Sequence, residues 1–235
     1  KMKSLLKTEE TIVNGDQLVQ LILKLHVDLL WFGGIGTYIK TPTESSFQVG
    51  DPANDTIRIN HNDCNAKVIG EGANLGITQS ARIELSRNGV NLNTDFIDNA
   101  AGVNMSDYEV NLKILLSQLQ KDKQIKTKKE KNKQLNQVSN EVIQLVLSNI
   151  QDNHRLLSMD QLRSKDNIII FVKLLHHLIN TKQLNPIEES LPDIGELDTI
   201  IEHHEILPRP LLATLQAYVK MNIYSTVVFT FFFNF

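Results

Sequence analysis

Apolar side chains recur with two different periods along the chain, and the change between them divides it. Over 15–26 (GDQLVQLILKLH), Leu18, Leu21, Ile22 and Leu25 fall three and four residues apart, which predicts an amphipathic helix with Asn14 or Asp16 as its cap. Val27, Leu29, Leu30, Trp31 and Phe32 then form an apolar run broken only by Asp28 and stopped by Gly33-Gly34-Ile35-Gly36. That pattern predicts a buried strand. Residues 40–65 are polar and turn-rich, and the short stretch 56–59 within them reads as a strand or a helix edge. Ala66 to Gly70 is a second predicted strand, followed by a loop and by a helix that Thr78 caps and Gly89 closes. Val90-Asn91-Leu92-Asn93 reads as a third strand, and 95–103 as a loop of small residues. Strands alternating with helices in this order predict an α/β unit with a largely parallel sheet.

From Ser106 onward the period becomes helical throughout. Helices are expected over 106–120, 135–152, 160–183, 194–204 and 208–225, with Pro186, Pro192, Pro208 and Pro210 as the breakers. The closing stretch 226–235 stands apart, because five of the nine Phe fall in the last seven residues. It is too short to span a bilayer and is expected to be a non-native or disordered end.

Composition narrows the function classes. The chain has 235 residues, 41% of them hydrophobic, and a formal net charge of −3, which is the balance of a globular domain or a domain and a part. A single Cys64 excludes a disulfide framework and any Cys-based zinc or iron–sulfur site, and it suits a reducing compartment, the cytoplasm by default. The near-neutral balance argues against nucleic acid. No apolar run reaches the roughly 20 residues of a membrane span. Residues 121–133 carry seven Lys against Asp122 and Glu130, with no interleaved aromatic or Gly motif, and read as a solvated surface connection.

Several constellations are set aside. His176-His177 and His203-His204 are adjacent pairs whose side chains point about 100° apart on a helix, so no metal site is assigned. Cys64 and His61 lie three apart in a polar loop and form no positioned dyad. The carboxylates Glu188-Glu189 and Asp95 with Asp98 read as surface or capping groups.

Three loops remain. In an open parallel sheet, ligands gather outside the carboxyl ends of the strands, where loops converge and helix N-termini offer positive dipole ends. Gly33 and Gly34 would let a flat ring or ribose approach the backbone, although the same residues also suit a plain tight turn. Gly72 and Asn74 lie in Glu71-Gly72-Ala73-Asn74 ahead of Thr78, and the Asn74 amide can both donate and accept, either to a ligand or to its own turn. Asn99 and Ser106 bracket small residues, and Ser106 with Glu109 has the spacing of a capping box.

These residues carry a resemblance. Val27-Asp28-Leu29-Leu30-Trp31-Phe32-Gly33-Gly34-Ile35-Gly36-Thr37-Tyr38, Gly70-Glu71-Gly72-Ala73-Asn74-Leu75-Gly76, and Asn93-Thr94-Asp95-Phe96-Ile97-Asp98-Asn99 through Glu109-Val110-Asn111 resemble the large NAD-specific bacterial glutamate dehydrogenases. Arg209-Pro210 with Leu211, Ala213, Ala217-Tyr218 and Lys220-Met221 resembles the helical region beyond that family's catalytic domain, so the likeness covers about residues 20–225. Two loops are also similar to those of the smaller hexameric glutamate dehydrogenases, with Ala101 replacing a glycine.

The resemblance implies NAD-dependent oxidative deamination of L-glutamate to 2-oxoglutarate and ammonia. It implies cofactor contacts from Gly33, Gly34, Gly72, Asn74 on the nicotinamide ribose side and Asn99 at the carboxamide, with the Thr78 turn supporting Asn74. Ser106 would bind the substrate side-chain carboxylate. It further implies a partial Rossmann-like sheet over 1–105, a helical region over 106–225 and a homo-oligomeric full-length enzyme. The family's catalytic lysine and aspartate, and its Gly-rich pyrophosphate turn, have no counterpart that can be placed on these residues. With Lys1 in first position, the expectation is a fragment, inactive alone, whose upstream partner is the rest of the same enzyme. The competing expectation is a non-catalytic remnant or helical interaction module.

Overall fold

The computed structural model describes Leu6 and residues 12–202 and 206–233. The chain divides into two compact units, one made of Lys1–Asp95 and Leu157–Phe235, the other of Phe96–Leu156.

The first unit opens with helix α1 (Gly15–Leu23), started by a reciprocal capping box. Asn14 Oδ1 accepts the Gln17 N–H at 2.8 Å, and Gln17 Oε1 accepts the Asn14 N–H at 2.9 Å. Four short strands follow among the described residues: β1 (Leu29–Phe32), β2 (Ile39–Lys40), β3 (Ile59–Asn60) and β4 (Val68–Glu71). β1 pairs with β4 in parallel, Leu29 opposite Val68 through Phe32 opposite Glu71, and β2 pairs in parallel with β3. A short helix α2 (Ser46–Val49) lies between β2 and β3. The predicted third strand shrinks to one parallel bridge, Asn91 to Val68, because two residues later Asn93 turns away to accept a 2.8 Å hydrogen bond from Arg209.

Pleating sends alternate side chains of β1 and β4 to opposite faces. Phe32, Ile69 and Glu71 point into a core shared with Ile39, Ile77 and Leu85, whereas Leu29, Trp31 and Val68 stand outward, 57%, 58% and 40% exposed. Helix α3 (Gln79–Arg87) begins at Thr78, whose hydroxyl accepts the Ala81 N–H, and ends before Gly89, whose φ of +88° suits glycine. It buries Ala81, Arg82, Ile83 and Leu85.

A four-residue helix α4 (Asp95–Asp98) precedes α5 (Ala100–Lys121) and the long α6 (Lys128–Asn180). The segment 95–103, expected as loop, is largely helical: α4 takes its first four residues and α5 begins at Ala100. Ala100 and Ala101 are strong helix formers and carry the helix six residues further back than the apolar spacing implied. The expected gap between 152 and 160 is absent as well: α6 runs through it and kinks at Asn167 instead, a residue whose short amide competes with helical backbone bonding.

The two helix ends expected near 120 and 183 fall at Lys121 and Asn180 and share one design. Lys123 and Lys182 take φ of +59° and +58°, and the N–H groups of Gln124 and Ile125 bond Leu119 O, as those of Gln183 and Leu184 bond Leu178 O. Buried Ile125 and Leu184 anchor each turn. The lysine run is thus a solvated connection made of a tight turn and the start of α6.

Helix α7 (Ile194–Glu202) and helix α8 (Arg209–Phe233) complete the first unit. Pro210 stands in the first turn of α8, where its missing N–H is not needed. Leu211, Leu212, Ala213 and Leu215 bury the beginning of α8, and Gln79 Nε2 on α3 donates to Pro210 O and Thr214 Oγ1. Helix α8 continues through 226–233, the stretch set apart above as an aromatic tail. No helix among the described residues is long and apolar enough to cross a membrane. The architecture is mixed α/β, mostly helical, with a small parallel sheet.

Truncation should separate core from surface. Ile77→Ala, at a fully buried position, is expected to cost about 2–5 kcal/mol, and Ile12→Ala, 88% exposed, within about 0.5 kcal/mol of zero, both read by denaturant unfolding.

Candidate functional site

Because β1 and β4 run parallel, their carboxyl ends open at the same edge, and the two loops that leave them start side by side. A 3.1 Å hydrogen bond from Ala73 N–H to Phe32 O joins them. Gly33, Gly34, Gly72 and Asn74 all follow these strand ends, and all four are exposed. The sequence reading missed Trp31. Its indole lies across the facing strand, so that a Cβ on Gly70 would stand 2.5 Å from its ring, and one on Gly72 at 2.5 Å as well. The glycines therefore make room for the indole, whereas a Cβ on Gly34 would meet nothing within 4 Å. The signal was available in the register, since a bulky Trp paired with a Gly leaves a flat step.

The first loop is fixed from below. Gly36 takes φ of +128°, and the next residue, buried Thr37, is gripped on both sides. Its N–H donates to Asp51 Oδ2 at 2.8 Å and its carbonyl accepts from Arg58 Nε at 2.8 Å. Arg58 also donates to Asp51 O and pairs with Asp55. The Thr37 N–H first, then the Asn54 amide, hold the Asp51 carboxyl below its ordinary value against a smaller opposing effect of burial, with Arg58 assisting. Tyr38 stacks on Phe32 with centroids 5.5 Å apart.

The second loop is fixed by buried charge, and here the reading of Asp95 as a surface or capping group is overturned. Glu71, Arg82 and Asp95 are 1%, 4% and 8% exposed. Arg82 binds Glu71 in bidentate fashion, Nε to Oε2 at 2.7 Å and Nη2 to Oε1 at 2.8 Å, and Nη2 also reaches Asp95 Oδ1 at 3.3 Å. The two carboxylates in turn accept loop amides: Ile77 N–H to Glu71 Oε1 at 3.2 Å, and Leu75 N–H to Asp95 Oδ2 at 2.8 Å.

Leu75 has φ of +58°, a conformation that costs a branched residue about 1–2 kcal/mol. A hydrogen bond to a charged acceptor contributes about 1.5–3 kcal/mol, enough to offset it. Gly76 completes the packing, since a Cβ there would come 3.1 Å from Glu71 Oε1 and from the Phe32 ring. Beyond it Thr78 Oγ1 donates to Glu44 Oε2 at 2.7 Å, tying the start of α3 to the β2 side.

Asn99 and Ser106 belong to the second unit. Asn99 sits at the position before α5 and does not cap it with its side chain. Ser106, expected at a helix start, lies inside α5, exposed, with its hydroxyl donating to Val103 O at 2.7 Å. Glu109, expected to close a capping box with it, pairs with Lys113 instead. Seven residues apart, Asn99 and Ser106 are offset by about two helical turns on nearly one face.

Other titratable groups are placed structurally. Burial pushes the Cys64 thiol up, away from reactivity. Tyr218, which donates to Glu189 at 2.6 Å, is pushed up to about 12 by that carboxylate. His203-His204 lies outside the described residues, and among the described residues no three His, Cys, Asp or Glu side chains cluster as a metal site.

Residues 1–160 match the family model for the bacterial NAD-glutamate dehydrogenase catalytic domain. The chain is 38% identical over 220 residues to the NAD-specific glutamate dehydrogenase of Halomonas elongata, 40% over 213 residues to that of Mycobacterium tuberculosis and 41% over 212 residues to that of Pseudomonas aeruginosa. These matches cover 94%, 91% and 90% of the chain but only 14%, 13% and 13% of the relatives.

The first loop carries a pH signature. Asp51 has its folded value below its ordinary one near 3.8, so its stabilisation is present above that value and is lost as pH falls through the folded value. The Tm gap between wild type and Asp51→Asn is expected to be widest near neutrality and to narrow as the pH falls below 3.8. A gap constant with pH would contradict the assignment.

Proposed function

The chain belongs to the bacterial NAD-glutamate dehydrogenase catalytic-domain family, and from that premise we propose that it supplies the nicotinamide-side wall of the NAD site in an enzyme that oxidatively deaminates L-glutamate to 2-oxoglutarate and ammonia. The observation that carries this reading is the pair of glycine-bearing turns at one carboxyl edge of parallel strands, the position where α/β sheets bind nucleotides. We read the β1–β4 pair as part of a Rossmann-like sheet. Its outward residues Leu29 and Val68 support that assignment, because parallel sheets are covered on both faces and further polypeptide of the whole enzyme would pack there.

The residues fit the cofactor. Gly33 and Gly34 leave the backbone approachable beside an exposed indole, which offers a flat apolar surface to a ring. Asn74 supplies an amide for the ribose side; for the second unit, taken by itself, the family likeness gives Asn99 an amide for the carboxamide and Ser106 a hydroxyl for the substrate side-chain carboxylate. NAD, when bound, accepts hydride from the substrate α-carbon. The chain's own residues fix which ring face meets the substrate, a positioning role that supplies much of catalysis.

The catalytic lysine and aspartate belong to the remainder of the enzyme, which is the chain's partner, together with L-glutamate and 2-oxoglutarate. The whole enzyme is proposed to be a cytoplasmic homo-oligomer.

In the full-length enzyme, Asn74→Ala and Asn99→Ala are expected to raise KM for NAD about tenfold each, the worth of one hydrogen bond, and Ser106→Ala to raise KM for glutamate instead. In the 235-residue chain by itself Trp31 is the single tryptophan, so there its fluorescence reports NADH at this edge directly. Quenching equal in wild type, Asn74→Ala and Asn99→Ala would overturn the site and favour a non-catalytic remnant.

A further inference from the structure

The loop that presents Asn74 has a hand that its own sequence does not favour. Leu75, the next residue, is left-handed although it is neither glycine nor asparagine, and it is 62% exposed, so side-chain packing does not hold it there. What meets its backbone is a buried carboxylate from twenty residues further on. Asp95 divides its two oxygens, Oδ2 taking the Leu75 N–H and Oδ1 facing Arg82, which also donates to Glu71 and Gln79. Glu71 in turn takes the Ile77 N–H on the far side of Gly76. Both ends of the turn are therefore pinned to one guanidinium.

We infer that Arg82, with Asp95 and Glu71, is the positioning device of the cofactor edge: it holds Leu75 left-handed and thereby aims Asn74 at the nicotinamide side of NAD. The inference rests on the NAD reading given above and deepens it. Neither Arg82 nor Asp95 touches the ligand. If Leu75 relaxes to the ordinary region, the peptide joining it to Asn74 rotates and the amide swings away from the strand end.

Two substitutions in the full-length enzyme test this without emptying the core. Asp95→Asn is isosteric, but an amide cannot accept from Leu75 and from Arg82 at once, because its NH2 must face one of those donors. Leu75→Val leaves all three charges in place and disfavours the left-handed region at an exposed position, so folding is preserved. Each is expected to raise KM for NAD about tenfold with a smaller change in kcat, and Leu75→Gly combined with Asp95→Asn is expected to return KM most of the way to the wild-type value, since glycine adopts the turn unaided. A purely structural role would lower Tm without that rescue.

An unchanged KM in Leu75→Val, or a double variant no better than Asp95→Asn alone, overturns the inference. Asn74→Ala separates the two failures. If it raises KM while Leu75→Val does not, NAD binds here and the clamp is irrelevant to it; if Asn74→Ala itself leaves KM unchanged, the NAD reading fails first.

Discussion

The bidentate pair between Arg82 and Glu71, extended to Asp95, is the contact on which the described geometry of the strand edge depends. Glu71 is the last residue of β4, Arg82 lies midway along α3, and Asp95 opens the segment leading to the second unit. One guanidinium therefore ties a strand end, a helix and the end of the first unit's N-terminal stretch, and the loop between strand and helix is held at both shoulders. Apolar packing alone could not do this. It would bury the loop but not choose the hand of Leu75, because dispersion has no preferred direction whereas an N–H to carboxylate bond does.

The parallel pairing of β1 with β4 is the second constraint. Two parallel strands with matched ends put their following loops on one side, and the length of the connection between them, which carries β2, α2 and β3, is what such a crossover requires. The inner face is satisfied by Phe32 and Ile69 against Ile39, Ile77 and Leu85. On the outer face Trp31 flattens itself over the glycine steps of β4, which reduces but does not remove its exposure. The chain spans 13–14% of the length of its curated relatives, and Leu29 and Val68 stand outward on that face, 57% and 40% exposed.

Much of this was legible in the residues and some was not, for identifiable reasons. Local rules located α1, β1, β4 and α3, because Asn14 and Thr78 cap, Gly89 stops, and continuous apolar runs mark buried strands. The helical second half was legible by period. Its ends near 120 and 183 were legible too, although Lys123 and Lys182 make those stops in a conformation normally signalled by glycine; the gap expected at 152–160 was not, because the helix runs through it to a kink at Asn167. Ser106 was misplaced because Ala100 and Ala101 read equally well as a roomy loop and as good helix. The proposed cofactor edge was visible as two glycine turns, but Trp31 was counted as one more core residue. Asp95 was dismissed because a carboxylate in a polar stretch carries no mark of burial, and its partner lies thirteen residues away on another element.

Arg58 and Arg82 solve the same problem on neighbouring loops, and their similarity is informative. Each guanidinium is almost fully buried, with side-chain exposures of 1% and 5%, and each spends its donors on carboxylates and loop carbonyl or amide partners rather than on a single salt bridge. Buried ion pairs are poor sources of net stability, since desolvation consumes most of the Coulombic gain. Their use here is geometric. A turn that must stay open on one side cannot be fixed by packing from that side, so it has to be fixed from beneath. Arg58 through Thr37 and Asp51, and Arg82 through Glu71 and Asp95, supply that fixation while Gly33, Gly34, Gly72 and Asn74 stay exposed above them. A rigid underside with an accessible upper face is the condition under which main-chain atoms can recognise a flat ligand without first paying to order themselves.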